Sequence, residues 1–296
     1  MARAENFREE ITQKIITALE NGTVPWQQPW DGREAYQNAV TKRQYSGINC
    51  MILSMASREF ETGKTDPRWM TYKQAQEAGY QVRKGSKGTH VLLWKPELAM
   101  DKNGKTEITA VLQKIFTVFH ASQVDGIKEY EPPEVNVIEA HEKADRIVRD
   151  SGAKIVYGGG EAYYSPARNY IQLPPKEDFK STEGYYSTML HELVHWTGHE
   201  SRLNRVQRCG KFSSDYAFEE LIAEMGSLFV ASSAGIPQSE TEFQNHASYI
   251  ESWLKHLKRD SMYIFKAAAE ANKAANYLLK TENNCPAMNN GKDNEQ

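Results

Sequence analysis

A helix running through residues 190–197 is the strongest constraint this sequence places on its own fold. Leu190, Leu193, Val194 and Thr197 fall at i, i+3, i+4 and i+7. Only a helix gathers such a set on one face, and the stripe must bury against a core. Ser181 or Thr182 can cap its start, and Gly198 can end it. His191 and His195 stand beside the stripe, four residues apart. On a helix they differ by about 40° in azimuth and roughly 6 Å along the axis. Both imidazoles can therefore reach one ion. Glu192 flanks the pair, where a carboxylate can take a proton from a metal-bound water.

His191-Glu-Leu-Val-His195 is thus the H-E-x-x-H arrangement of zinc hydrolases. A second segment supports it. Residues 215–231 have helical periodicity, with Phe218, Leu221, Ile222, Met225 and Phe229 as the core stripe. Glu220 and Glu224 form an i, i+4 pair on another side, among the small residues Ala223, Ser227 and Ala231. No Lys or Arg occurs from Phe212 to Leu254, although an exposed acidic face normally carries basic partners at helical spacing. Two carboxylates without such partners suit close packing against another helix and a bound cation.

The third ligand has to come from outside the motif. A metzincin would continue to a histidine where this chain has Ser201, and His199 follows the helix-ending glycine too closely. The Glu220-Leu-Ile-Ala-Glu224 segment resembles the second helix of gluzincins. That resemblance implies that Glu220 binds metal and that Glu224 hydrogen-bonds a ligand histidine; exchanged roles for the two glutamates remain open. Three protein ligands leave a fourth position for water, with Glu192 as general base. Tyr216, at the entry of the second helix, can either donate to an oxyanion or pack in the core. Zn2+ is the default ion for this ligand set, and Mn2+ or Co2+ would fit the same donors.

At 296 residues the chain is long enough for two domains. Glu129–Val135, with two prolines and three acids, interrupts the pattern. The expected division is 1–130, a linker 131–136, 137–280, and a polar, Asn-rich tail 281–296 expected to be disordered. Residues 1–130 carry 18 Lys+Arg against 15 Asp+Glu, whereas the remainder carries 18 against 24. The basic excess therefore lies in the first part. Cys50, Cys209 and Cys285 lack metal spacing and suggest no disulfide framework, which fits a reducing cytoplasm. No leader pattern and no apolar run long enough for a membrane span is present, so no membrane partner is expected.

Helices are expected around 7–22 and 48–61, and a short one after Trp69. Strands are expected at 80–83, 89–94 and 111–119. Beyond the boundary come a helix at 137–151, strands at 155–157 and 170–173, the two histidine- and glutamate-bearing helices, and helices at 241–259 and 262–279. The class is α+β: a mixed N-terminal domain and a helix-rich C-terminal one.

Residues 33–95 hold 11 Lys+Arg against five acids, interleaved with aromatics. Basic side chains track phosphates, and exposed aromatics stack on unpaired bases. Trp26, Trp30, Tyr45, Trp69 and Tyr72 are the stacking candidates, with core packing the competing role for Trp69 and Trp94. Arg43, Arg68, Arg83, Lys84 and Lys87 are the phosphate candidates. The 83–88 turn could equally be a plain solvated hairpin. Gly63-Lys-Thr65 is no Walker loop, because the preceding glycine and strand are absent.

Tyr45-Ser-Gly-Ile-Asn, Trp69-Met-Thr-Tyr-Lys-Gln-Ala, Val82-Arg-Lys-Gly-Ser-Lys-Gly and Trp94-Lys-Pro together resemble the N-terminal domain of ArdC-type plasmid antirestriction proteins, a domain also found in conjugative primases. Tyr185–His199, Ser201-Arg-Leu-Asn-Arg and Tyr216–Glu224 resemble the family's zincin-like metallopeptidase domain. The resemblance covers roughly residues 1–280. It implies single-stranded DNA binding by the first domain and protection of incoming conjugative DNA from host restriction. A second reading is a metalloprotease acting on a regulatory or restriction-related protein, with the N-terminal domain recognising that partner.

Overall fold

Phe7, Ile11, Ile15, Ile16 and Leu19 line one face of helix α1 (Ala2–Glu20) and are all buried. The structure, a computed structural model, describes residues 2–26, 35–58, 60, 66–100, 106–132, 137–205, 214–236 and 247–280. Trp30, the Gly63–Thr65 segment, most of the expected linker, Cys209, Cys285 and the 281–296 tail lie outside them. After α1 come strand β1 (Gln37–Asn38) and helix α2 (Ile48–Ser57). Trp69 lies in strand β2 (Arg68–Thr71), just ahead of the expected short helix. The short helix α3 (Tyr72–Glu77) follows, started by a capping box in which Thr71 accepts from the Gln74 amide.

The expected 80–83 strand is β3 (Gln81–Val82), which does not form a hairpin with β4 (Thr89–Met100). It pairs instead with β6 (Val124–Asp125), while β4 pairs with β5 (Thr106–His120). The 83–88 turn therefore connects two sheets. The larger sheet has the order β1-β2-β5-β4, with β1 and β2 parallel and the other pairs antiparallel. Tyr36, Leu53, Trp69, Val91 and Val118 form a small core between this sheet and α2.

The second half begins with helix α4 (Val137–Ser151) and a three-stranded sheet, β7 (Ile155–Tyr157), β8 (Tyr163–Ser165) and β9 (Tyr170–Leu173). The expected pair β7 and β9 runs parallel, and β8 takes the other edge antiparallel to β9. Helix α5 (Thr182–Thr197) starts where the Ser181 hydroxyl accepts from the Gly184 amide at 3.0 Å. Leu190, Leu193, Val194 and Thr197 are fully buried. Helix α6 (Ser214–Ala234) packs along α5, and helices α7 (Ala247–Leu257) and α8 (Tyr263–Leu279) complete the bundle.

Small residues set the spacing of that bundle. A Cβ on Gly226 of α6 would stand 2.9 Å from Val194 Cγ1 of α5, so any side chain there would push the two helices apart. On α8, Ala267, Ala268, Ala271, Ala274 and Ala275 are all buried. Leu221, Ile222 and Met225 fill the seam, each contributing about 1.5–3 kcal/mol by leaving water.

The two halves share one apolar core. Phe7, Ile11, Ile15 and Leu19 belong to the same cluster as Leu190, Leu221 and Ala271. Thr12 donates to the Ser261 carbonyl and Lys258 pairs with Glu20 at 2.6 Å, both across the two halves, while within the first half Asn49 exchanges two hydrogen bonds with the Leu92 backbone. Among the described residues, no helix is long and apolar enough to cross a membrane.

Candidate metal centre and nucleic-acid face

Because α5 turns its leucines inward and α6 crosses it closely at Gly226, His191 and His195 face Glu220 across the helix seam. The two imidazoles converge on their Nε2 atoms, 3.1 Å apart. Glu220 Oε1 lies 3.3 Å from His195 Nε2, and its Oε2 lies 3.6 Å from His191 Nε2. One donor atom from each of the three residues fits within 4.8 Å of the others. The three form one imidazole–imidazole–carboxylate cluster.

The opposite ring nitrogens are equally engaged. Glu224 Oε1 stands 3.2 Å from His191 Nδ1, and Glu219 Oε1 stands 3.4 Å from His195 Nδ1. A carboxylate on Nδ1 fixes the tautomer and leaves the Nε2 lone pair for an ion. Glu219 is itself clamped by Arg205, whose Nε and Nη2 donate to its two oxygens at 3.0 and 2.8 Å. The same guanidinium donates to the Val194 carbonyl and the Thr197 hydroxyl, the last turn of α5. Arg205 thus ties both helices to one carboxylate.

The charges of the cluster favour a cation. Glu192, Glu219, Glu220 and Glu224 are all at least nine-tenths buried, and Arg205 bonds to Glu219. Such an acidic cluster must hold protons or a metal. In the metal-free arrangement the histidines take the protons. Burial lowers the His191 pKa, but bonds to Glu220 and Glu224 and the charges of Glu224 and Glu192 outweigh it and hold it well above its ordinary value. His195 is opposed by burial in the same way and pushed up to about 9 by Glu220 and Glu219. Burial raises Glu220, yet the charges and N–H groups of His195 and His191 hold it far below the usual carboxylate range. The Tyr216 hydroxyl donates to Glu220 and shares a further bond with Tyr249 of α7. Burial, with Glu220's charge next, raises its pKa and keeps that proton in place.

Glu219, Arg205 and Tyr249 are the residues that reading the sequence missed. Glu219 sits one position before Glu220, off the i, i+4 spacing that marks Glu220 and Glu224, and Arg205 lies seven residues before Phe212, outside the segment free of Lys and Arg. His199 stays outside the cluster, bonded to Ser201.

The nucleic-acid candidates divide differently. Trp26 is only 2% exposed and packs edge-on against Trp253 at 5.6 Å, so it offers no open face for stacking. Trp69 is wholly buried against Phe60 and His120, a correction its position on β2 explains. Arg68 forms a bidentate pair with Asp66, donates to the Lys128 carbonyl and lies over Tyr130; its charge is spent inside the fold rather than offered to phosphate. Tyr72 is 45% exposed. Arg43, Lys84 and Lys87 are exposed, and Tyr45 is half-buried. Arg83 is exposed too, but it pairs with Asp125 at 3.0 Å.

Comparison with known proteins adds an independent line. The family model for the N-terminal domain of anti-restriction factor ArdC matches residues 5–119, and that for zincin-like metallopeptidase matches residues 142–270. Among curated proteins, a DNA primase TraC of Escherichia coli is 40% identical over 297 residues, covering 93% of this chain. This chain spans only 20% of that protein's length and 27% of a second TraC primase. The uncharacterized protein y4eC of Sinorhizobium fredii is 35% identical over 285 residues, which cover 91% of this chain and 90% of that protein. The metal-free crystal structure of the antirestriction ArdC protein from R388 plasmid superposes with a TM-score of 0.77 at 38% identity, over 94% of this chain and 98% of that one. Its Mn(II)-bound form gives 0.75 at 37% identity, over 92% and 97%.

Proposed function

The chain belongs to the ArdC antirestriction family, and on that footing we propose that it binds single-stranded DNA and protects incoming conjugative plasmid DNA from host restriction, with a divalent-metal site of peptidase type in its C-terminal half. The observation that carries the reading is likeness along nearly the whole length of an antirestriction protein. The exposed Arg43, Lys84 and Lys87 and the open ring of Tyr72 support DNA contact.

His191, His195 and Glu220 are the ligands in this proposal. The donor set fits: two neutral imidazoles and one carboxylate are the His2Glu set of catalytic zinc sites, with a position left for water. Mn2+ suits the same donors, and the R388 ArdC relative has a Mn(II)-bound structure. A bound divalent ion would acidify a water and polarise a carbonyl. The remaining work falls to side chains. Glu192 accepts a proton from the attacking water and returns it to the leaving amine. Glu224 and Glu219 hold the two rings in one tautomer, Arg205 fixes Glu219, and Tyr216 fixes the Glu220 carboxylate.

A transfer assay into a restricting recipient tests the proposal with three forms: wild type, Glu192→Gln, and Lys84→Ala/Lys87→Ala. Protection should fall in the double lysine variant. Protection lost in Glu192→Gln, with DNA binding intact, would move the primary activity to proteolysis.

A further inference from the structure

A cavity of about 240 Å3 opens in the seam between the N-terminal half and the face of α6 and α8. It is lined by Trp26, Tyr36 and Tyr45 on one side and by Ser232, Asn272 and Asn276 on the other. Among the described residues, no charged side chain lines it. Its polar groups are hydroxyls and amides, which donate and accept alike. Asn272 and Asn276 are one helical turn apart and share a face. The Tyr45 hydroxyl is bonded to Asn38, which leaves its ring as the contact surface. Trp26 and Tyr36 are almost wholly buried behind that wall, so Tyr45, Ser232, Asn272 and Asn276 supply its accessible polar surface.

The chemistry of that wall selects a neutral, planar, polar-edged molecule. The volume lies below the roughly 300–1,000 Å3 of pockets that take drug-sized ligands, so one ring system fits better than a large ligand. Cations adjoin the wall in sequence: Lys42 and Arg43 precede the wall residues Gln44 and Tyr45, and Lys280 follows Leu279, with all three exposed. A neutral ring inside and positive charge at the rim is the arrangement an unstacked nucleobase and its flanking phosphates require.

We infer that this interdomain cavity receives one unstacked base of a bound single strand, its ring beside Tyr45 and its polar edge toward Asn272 and Asn276; the inference rests on the single-strand reading above. Both halves of the chain then touch the strand.

The test uses the full chain and two labelled strands of equal length, one homopyrimidine and one fully abasic, titrated by fluorescence anisotropy. The base-bearing strand should bind roughly tenfold tighter, the scale of one stacked base. Ser232→Leu, which fills the cavity, and Asn272→Leu, which removes edge contacts, should each shrink that ratio several-fold while abasic affinity stays within about twofold. Metal content and melting temperature report whether each variant has folded. A second readout needs no variant: 2-aminopurine is placed at successive positions and challenged with iodide in the wild-type complex. One position should become shielded several-fold more than its neighbours. Equal shielding along the strand, or variants that keep the full ratio, would overturn the cavity assignment with strand binding intact. Failure to bind either strand would overturn the single-strand reading as well.

Discussion

The α5–α6 seam and the surface around the 83–88 turn are both polar and both candidate functional regions, yet they are built in opposite ways. In the seam each ligand candidate is held by a further side chain, His191 by Glu224, His195 by Glu219 and Glu220 by Tyr216, and Glu219 is held in turn by Arg205. Around the turn, Lys84 and Lys87 stand on exposed backbone, and the Arg83–Asp125 pair is more than half exposed on both sides. Surface pairs of that kind are worth about 0–1 kcal/mol. The difference separates two tasks. An ion needs donor atoms fixed to fractions of an ångström, whereas a flexible polyanion needs only charge within a Debye length.

The contrast breaks most severely if the halves are independent. Expressed apart, residues 1–130 and 131–296 should each lose cooperative melting and bind a hydrophobic dye, because Phe7, Ile11, Ile15 and Leu19 would be uncovered together with their partners. Two clean transitions from the separated pieces would show that the shared core is dispensable. Next in size is the ion itself. His191→Ala or Glu220→Ala should abolish divalent binding by elemental analysis, while Glu224→Gln and Glu219→Gln should weaken it about 10–100-fold. A larger loss in Glu224→Gln than in Glu220→Ala would exchange the two glutamates.

A smaller effect comes from protons. Both histidines have raised pKa values in the folded metal-free protein, so their stabilisation is complete below the unfolded value of about 6.5 and is lost as pH rises, through about 9 for His195. The lowered Glu219 and Glu220 act oppositely, stabilising above about 4.5 and losing that contribution in acid. The chelated protein should therefore melt at the highest temperature near pH 5–6.5 and progressively lower toward pH 9, by calorimetry. The metal-loaded protein should be flatter over the alkaline range. Smallest of all is the surface. Lys84→Ala and Lys87→Ala should each reduce the slope of log affinity for single strands against log salt by about 0.7, with no change in melting. An unchanged slope would remove these lysines from the interface.

Sequence periodicity carried the seam well because its geometry is local. The i, i+4 spacing of His191 and His195 and of Glu220 and Glu224 survives any packing of the helices, and the buried stripes say which way they face. What escaped was contact between segments distant in the chain: Arg205 reaches Glu219 only after the chain has turned past α5, and Tyr249 arrives from α7. The surface was less legible for the same reason. Whether Trp26 or Trp69 meets solvent depends on Trp253 and on the β2–β5 pairing, neither of which leaves a trace near the tryptophans. Pairing of β3 with β6 instead of β4 is likewise a long-range choice, because alternation marks strands but not their neighbours.

The apolar face that α1 shares with the C-terminal helices also bears on inheritance. A recombination breakpoint between the two family-model segments would hand the first descendant a bare stripe of isoleucines and the second an uncovered helix bundle. Exchange within that face requires both sides to change together, so the two segments are expected to be inherited as a pair.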